Sequence, residues 1–452
     1  MRIKLFTLLL IMSVSGYARN EDSVKIRAIA NEILLHGKAY ENLRVLTKQI
    51  GARLTGSPQT YKAEAWGQKA LQQAGADRVI TQSCLVPHWI RGGKEEAWIV
   101  GKKNQPLDIL ALGNSMGTGA KGIQAPVLLV NSFEELEQKK ASVKGKIVFY
   151  NYKFNDTYVR TFEAYRDAVG YRAQGPGQAA RYGAVGVLIR SMSHAADNNP
   201  HTGSTRYNDS FPKIPAAALG LQDADRLAAL LEKEPATVFL KTNGKMLPDT
   251  VAHNIIGEIT GSEFPEQIIT VGGHLDSWDP AEGAHDDGSG CVQSIEVIRV
   301  LKAIGYKPKR TIRAVLFANE ENGLRGGSKY AEEARTKKEK HIFALESDAG
   351  GFTPRGFGVT MSPELLNKLR SWLPLLEPYG ITEISNGGGG SDIGPLNREL
   401  GTPLAGLQPD SQRYFDIHHA RSDVFETVNK RELELGAVSM AALIYLVDKY
   451  GL

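Results

Sequence analysis

Short runs of consecutive apolar residues alternate along this chain with segments in which apolar positions recur every three or four residues. From residue 22 to about 83 the recurrence is helical: Val24 to His36 and Tyr61 to Ala74 each place their apolar residues on one face. The intervening stretch from Gly51 to Pro58, containing an LTGSP run, has turn composition. Polarity and glycine content rise from Pro87 through Gly117. A second unit then begins near Gly119. It has strand-like runs at Ala125 to Val130, Lys144 to Tyr150 and Gly183 to Ile189, and helical stretches at Ser132 to Lys140 and Asp223 to Leu231. After Asp249 short strands at Ile268 to Val271, Ile312 to Ala318, Ile342 to Leu345 and Leu404 to Leu407 alternate with helices, among them Ser289 to Ile304 and Lys430 to Lys449. That alternation predicts an α/β fold with a mostly parallel central sheet flanked by helices.

The first eighteen residues obey a different rule. Arg2 and Lys4 precede an apolar core from Leu5 to Val14, and Gly16-Tyr17-Ala18 makes a small-x-small cleavage site. Residues 1–18 are therefore read as a signal peptide and the protein as exported, periplasmic or secreted. Some ten apolar residues are too few to span a bilayer, and no later run reaches the ~18 that a membrane helix needs, so no stable span is expected after leader cleavage.

Composition adds exclusions. With 452 residues, 42% of them hydrophobic and 23% charged, the chain is globular and long enough for more than one core. Its formal charge of +4 includes Arg2 and Lys4, and the remainder is too small to argue for nucleic acid or an anionic membrane surface. The two cysteines, Cys84 and Cys291, lie far apart and are expected to be buried free thiols rather than a bridge. His194 and His201 fall in a loop rich in Asn, Asp and Ser and are expected at the solvent surface.

The candidate chemistry lies in the last part of the chain. The stretch HLDSWDPAEGAHDD runs from His274 to Asp287, and downstream come Glu320, Glu321, Asp348, His418 and His419. Each acid or imidazole follows or ends a short apolar run, which puts it just past the carboxyl end of a predicted strand, where open α/β sheets bind their ligands. Imidazole with several carboxylates and no thiolate is the donor set of a hydrolytic zinc site rather than a structural one.

At these residues the chain resembles the family of co-catalytic zinc aminopeptidases and glutamate carboxypeptidases. The resemblance is carried by VPHWIRGG (86–93), VKGKIVFYN (143–151), PHTG (200–203), PKIPAAAL (212–219), VGGHLDSWD (271–279), HDDGSG (285–290), NEENG (319–323), ESDAGG (346–351) and HHARSD (418–423), spread over nearly the whole chain beyond the leader. It implies the zinc peptidase fold with an inserted protease-associated α/β domain. The domains would be residues 19–118 and 250–452 for the peptidase and 119–249 for the insert. Two Zn2+ per chain are implied, with His274 and Asp348 on one ion, Glu321 and His419 on the other, and Asp286 between them. Glu320 would be the general base and Asp276 the acid that orients the His274 ring or its surroundings. His418 stands where relatives often carry Tyr, and would hydrogen-bond the oxyanion. The glycine run before Ser391 and Asp392 resembles the family's loop at the rim of the substrate pocket. The implied substrate is a dipeptide or short peptide. Which terminus is read stays open: Arg413 and Arg421 flank the His pair as possible carboxylate clamps, and an aminopeptidase is the alternative. A glutaminyl-cyclase-like acyltransferase and a non-enzymatic binding module are the remoter readings. The family also implies a homodimer.

Overall fold

The computed structural model describes residues 21–452, so the leader expected over residues 1–18 lies outside the described residues. Sixteen strands form two sheets of eight strands each. In chain order they are β1 (Arg78–Ile90), β2 (Glu96–Ile99), β3 (Gln105–Pro106), β4 (Ile109–Ala111), β5 (Ile123–Val130), β6 (Ile147–Tyr150), β7 (Gly186–Arg190) and β8 (Ala216–Leu219). Next come β9 (Thr237–Lys241), β10 (Lys245–Ile259), β11 (Phe264–His274), β12 (Arg310–Phe317), β13 (Lys340–Glu346), β14 (Pro354–Thr360), β15 (Glu383–Asn386) and β16 (Leu404–Pro409).

The first sheet has the order β1-β10-β12-β11-β13-β16-β14-β15. Its centre is parallel, with β12, β11, β13 and β16 running the same way. The flanks qualify the expected mostly parallel sheet: β1 with β10, β10 with β12, and β14 with β16 are antiparallel. Central strands such as β12 are buried along nearly their whole length because helices cover both faces, which is why they read as unbroken apolar runs. The helix Ser289–Ala303 is buried on nearly every side, packed between the sheet and the terminal helix Lys430–Tyr450.

The second sheet has the order β3-β2-β9-β5-β6-β7-β8-β4 and its own apolar clusters. It begins at Glu96, well before the expected boundary at residue 119, and ends at Lys241. Strands β2, β3 and β4 are two to four residues long, so the polar, glycine-rich stretch that holds them gave no periodic signal. The chain leaves the first sheet at the end of β1 and returns at the start of β10, and these two points pair directly, Ile90 opposite Lys245. An insertion whose ends are neighbours leaves the host sheet continuous.

Candidate metal centre and substrate pocket

The carboxyl ends of the central strands converge. His274 is the last residue of β11; Glu320 and Glu321 come after β12; Asp348 lies two residues beyond β13; His418 and His419 sit in the loop after β16. On one side, His274 Nε2 lies 3.2 Å from Asp286 Oδ1 and 3.4 Å from Asp348 Oδ1. On the other, His419 Nε2 lies 3.1 Å from Asp286 Oδ2 and 3.3 Å from Glu321 Oε2. Asp286 thus sits between two imidazoles and turns one oxygen toward each.

The outer ring nitrogens fix which atom faces inward. His274 Nδ1–H donates to the Asp276 carbonyl at 3.0 Å, and His419 Nδ1–H donates to the Thr202 carbonyl at 3.1 Å. Each Nε2 therefore faces carboxylate oxygens, an arrangement that requires either a ring proton or a bound cation between them. Asp286 Oδ2 is buried without a hydrogen-bond donor. Three donor triads meet here: Asp286, His418 and His419; His274, Asp287 and Asp348; His274, Asp286 and Glu321. The residues fit zinc by donor type and by convergence.

Electrostatics gives the same answer. Burial, with Asp286 close by, pushes Glu321 up to about 8. Burial disfavours the His419 cation, yet Glu321 and Asp286 outweigh it and lift the ring to about 10. His274 is likewise held well above its ordinary value despite burial, chiefly by Asp348 and Asp286. Burial opposes ionisation of Asp286, but the adjoining His274 and His419 rings hold it well below the usual carboxylate range. The cluster calls for positive charge, which bound metal supplies at neutral pH in place of protons.

Of the two roles expected for Asp276, the contacts of its carboxylate favour the surroundings over the ring. The His274 ring is oriented by the backbone carbonyl of Asp276; the Asp276 carboxylate stands 3.8 Å away. That carboxylate instead accepts the Thr55 hydroxyl at 2.9 Å and the Glu320 N–H at 3.0 Å, so it anchors the backbone of the candidate base. Asp287 is fully buried and accepts the N–H groups of His274 and Gly290. Asp423 accepts the N–H groups of His285 and Asp286. Arg53, also fully buried, donates to the carbonyls of Leu275, Glu282 and Gly283 and so clamps the loop joining His274 to Asp286. Sequence reading missed Arg53 and Thr202; their runs, RLTG and PHTG, carried no ligand pattern that would single them out.

A cavity of about 440 Å³ opens onto the centre, with Glu320, Asp348, His418 and Ser391 in its wall. Burial, reinforced by the neighbouring acids, pushes Glu320 up to about 7. His418 stacks on His419 with centroids 3.6 Å apart, its Nε2 3.7 Å from Asp286 Oδ2. Burial and the adjoining His419 hold it well below its ordinary value, so it is neutral. Asp392 does not share the wall with Ser391: it is fully buried behind it, and its N–H donates to Glu346. Arg413 and Arg421 are turned away, to Glu432 and to Asp108 respectively. The guanidinium groups in the cavity wall are Arg172 and Arg206, both from the second sheet's unit. His201, expected at the surface, is 3% exposed and lies beneath the His pair.

The profile of Peptidase family M28 matches residues 254–444, the part of the chain that carries every candidate ligand. Carboxypeptidase Q of Homo sapiens is 38% identical over 426 residues, 93% of this chain and 88% of that one. The chain belongs to peptidase family M28. Carboxypeptidase Q of Mus musculus is 36% identical across 95% of this chain and 90% of that one. Among solved structures, the Peptidase M28 precursor of Shewanella amazonensis SB2B superposes with a TM-score of 0.90 at 32% identity, covering 95% of this chain and 97% of that one. A zinc aminopeptidase from Bacillus subtilis shares the fold, with a TM-score of 0.66 at 22% identity over 90% of this chain and 94% of that one. This M28 member is a metallopeptidase of mixed α/β fold, and its donor set suits zinc.

Proposed function

We propose that this M28 peptidase is a di-zinc exopeptidase that splits dipeptides or releases a terminal residue from short peptides. The position of Asp286, one oxygen toward His274 and the other toward His419, carries this reading. One ion would be held by His274, Asp348 and Asp286, the other by His419, Glu321 and Asp286. When bound, zinc polarises the attacking water and the scissile carbonyl. Glu320 takes the proton of that water and delivers it to the leaving amine. His418, neutral and in the wall, donates a ring N–H to the developing oxyanion. Ser391 contacts the substrate from the rim. A cavity of about 440 Å³ is of small-molecule size and suits a short peptide.

Arg206 favours recognition of the carboxyl terminus. It lies in the wall, is exposed, and makes no salt bridge among the described residues, so it is free to meet a substrate carboxylate. The second sheet's unit corresponds in this reading to the protease-associated insert. The leader over residues 1–18 supports export to the periplasm or beyond, and among the described residues no helix is long and apolar enough to cross a membrane. The working form would be a homodimer, as the family resemblance implies.

The test pairs a zinc count with dipeptide hydrolysis. Two zinc ions per chain and cleavage of N-acetylated but not C-amidated dipeptides are expected; the opposite blocking pattern would make the enzyme an aminopeptidase. Arg206→Ala should raise KM for free dipeptides by ~10–100-fold with kcat little changed, the loss of a charge-assisted hydrogen bond. An unchanged KM would remove Arg206 from the recognition of substrate.

A further inference from the structure

The two imidazoles of the centre are supported from different parts of the molecule. His274 is held within the first sheet's own loop, its ring by the Asp276 carbonyl and its N–H by Asp287. His419 is held by the second sheet's unit. The Thr202 N–H donates to the His419 carbonyl at 2.9 Å, and the Thr202 carbonyl accepts the His419 Nδ1–H at 3.1 Å, with Arg172 Nη1 of the same unit 3.3 Å from that nitrogen. One residue therefore grips both the main chain and the ring of a candidate ligand. His419 has a φ of 61°, a left-handed conformation that a non-glycine residue keeps only where its surroundings impose it.

Thr202 is itself immobilised. It is fully buried, and its hydroxyl donates to the Ala111 carbonyl at 2.8 Å. The next residues are stitched to the chain after β4, with Gly113 N–H donating to the Gly203 carbonyl and Thr205 N–H to the Gly113 carbonyl. Gly203 has a φ of 133°, and a Cβ there would lie 2.4 Å from the Arg172 guanidinium, so the path of this segment demands glycine. The same segment continues into the cavity wall at Ser204 and Arg206.

We infer that Thr202 is a positioning residue for His419, and that the second sheet's unit thereby sets the affinity of the metal on the His419 side. A carbonyl accepting the outer N–H of a metal-binding imidazole fixes its tautomer and raises its basicity, and losing such a partner typically weakens metal binding ~10–100-fold. The inference rests on the two-zinc reading, but its test separates the two: zinc stoichiometry of the unmodified protein judges that reading, and the ratio of variant to unmodified affinity judges this one.

The experiment titrates zinc into the full-length, metal-depleted protein against a chromophoric chelator. Thr202→Pro, which deletes the N–H, and Gly203→Ala, which displaces the neighbouring carbonyl, should each weaken one zinc by ~10–100-fold and leave the other unchanged. Thr202→Ser, which keeps the main-chain contacts and the hydroxyl, should bind both as the unmodified protein does. Wild-type affinity in both disruptive variants overturns the inference. So does equal weakening of both ions, or a Thr202→Ser defect as large as that of Thr202→Pro. Should Thr202→Pro fail to fold by circular dichroism, Gly203→Ala decides alone.

Discussion

The two sheets are built alike and do different work. Each has eight strands with parallel strands at its centre: β12, β11, β13 and β16 in the first, and β5, β6, β7 and β8 in the second. They differ in the residues placed just beyond their strand ends. In the first sheet the ends deliver His274, Glu320, Glu321 and Asp348. In the second, β5, β6, β7 and β8 run into Asn131, Asn151, Ser191 and Gly220, none of them an acid or an imidazole. Strand ends supply a place for chemistry; the residue types there decide whether any occurs. The second sheet's unit instead lends the helix Thr161–Arg181, which puts Tyr165 and Arg172 into a wall facing the candidate ligands, and a loop that adds Ser204 and Arg206. One unit provides the acids and the other the aromatic and cationic side of the same cavity.

That contrast breaks most sharply at Glu320. Glu320→Gln should keep its zinc and lose ~10²–10⁴-fold in kcat, the usual contribution of a general base. Normal turnover in a zinc-loaded Glu320→Gln protein would take the catalytic role away from this strand end. The next effect probes the second sheet's side through pH. Burial, aided by His419, holds His201 down to about 4, below the ordinary 6.5. Above pH 6.5 neither the folded nor the unfolded ring binds a proton, so stability is unaffected. As pH falls from 6.5 toward 4 the unfolded chain takes up a proton that the native ring refuses, and stability declines by on the order of 3 kcal/mol. Urea denaturation of metal-free protein at about pH 7 and about pH 4.5 should show this loss, and His201→Leu should show less of it. Equal losses in both proteins would mean that other groups govern the acid response. The smallest effect belongs to Asn151, the residue after β6, whose side-chain oxygen accepts from Arg190. Asn151→Ala should cost about 1 kcal/mol of stability for a lost hydrogen bond while leaving zinc content and kcat as they were. A fall in kcat would show that this sheet also does chemistry at its strand ends.

How each residue acts decides whether the sequence made it legible. His274, Asp286, Glu321, Asp348 and His419 are candidate ligands through their own side chains and were placed after apolar runs, so residue type and position both mark them. Thr202 acts through its peptide group, which every residue possesses, and Arg53 through a guanidinium aimed at backbone carbonyls. Neither contact leaves a pattern in the sequence. Asp392 read as a rim residue through its resemblance to the family's pocket loop, yet it is fully buried, as is Asp287. His201 lay in a polar loop, and only the packing of that loop against the His pair removes it from solvent. The boundary at residue 119 left out β2 to β4 because strands of two to four residues are too short to show a period.

The two cysteines turn these buried regions into separate clocks. Cys84, on β1, lies packed with Val86, Ala252 and Ala318, where burial pushes its thiol up to about 12. Cys291 lies under the metal loop, its Sγ–H donating to the His274 carbonyl at 3.0 Å, and burial holds it well above its ordinary value. A sealed, protonated thiol does not alkylate until its surroundings open. The labelling rate of Cys84 therefore times the opening of β1 from β10, and that of Cys291 times the opening of the segment from His274 to Asp287. Added zinc should slow the second clock far more than the first.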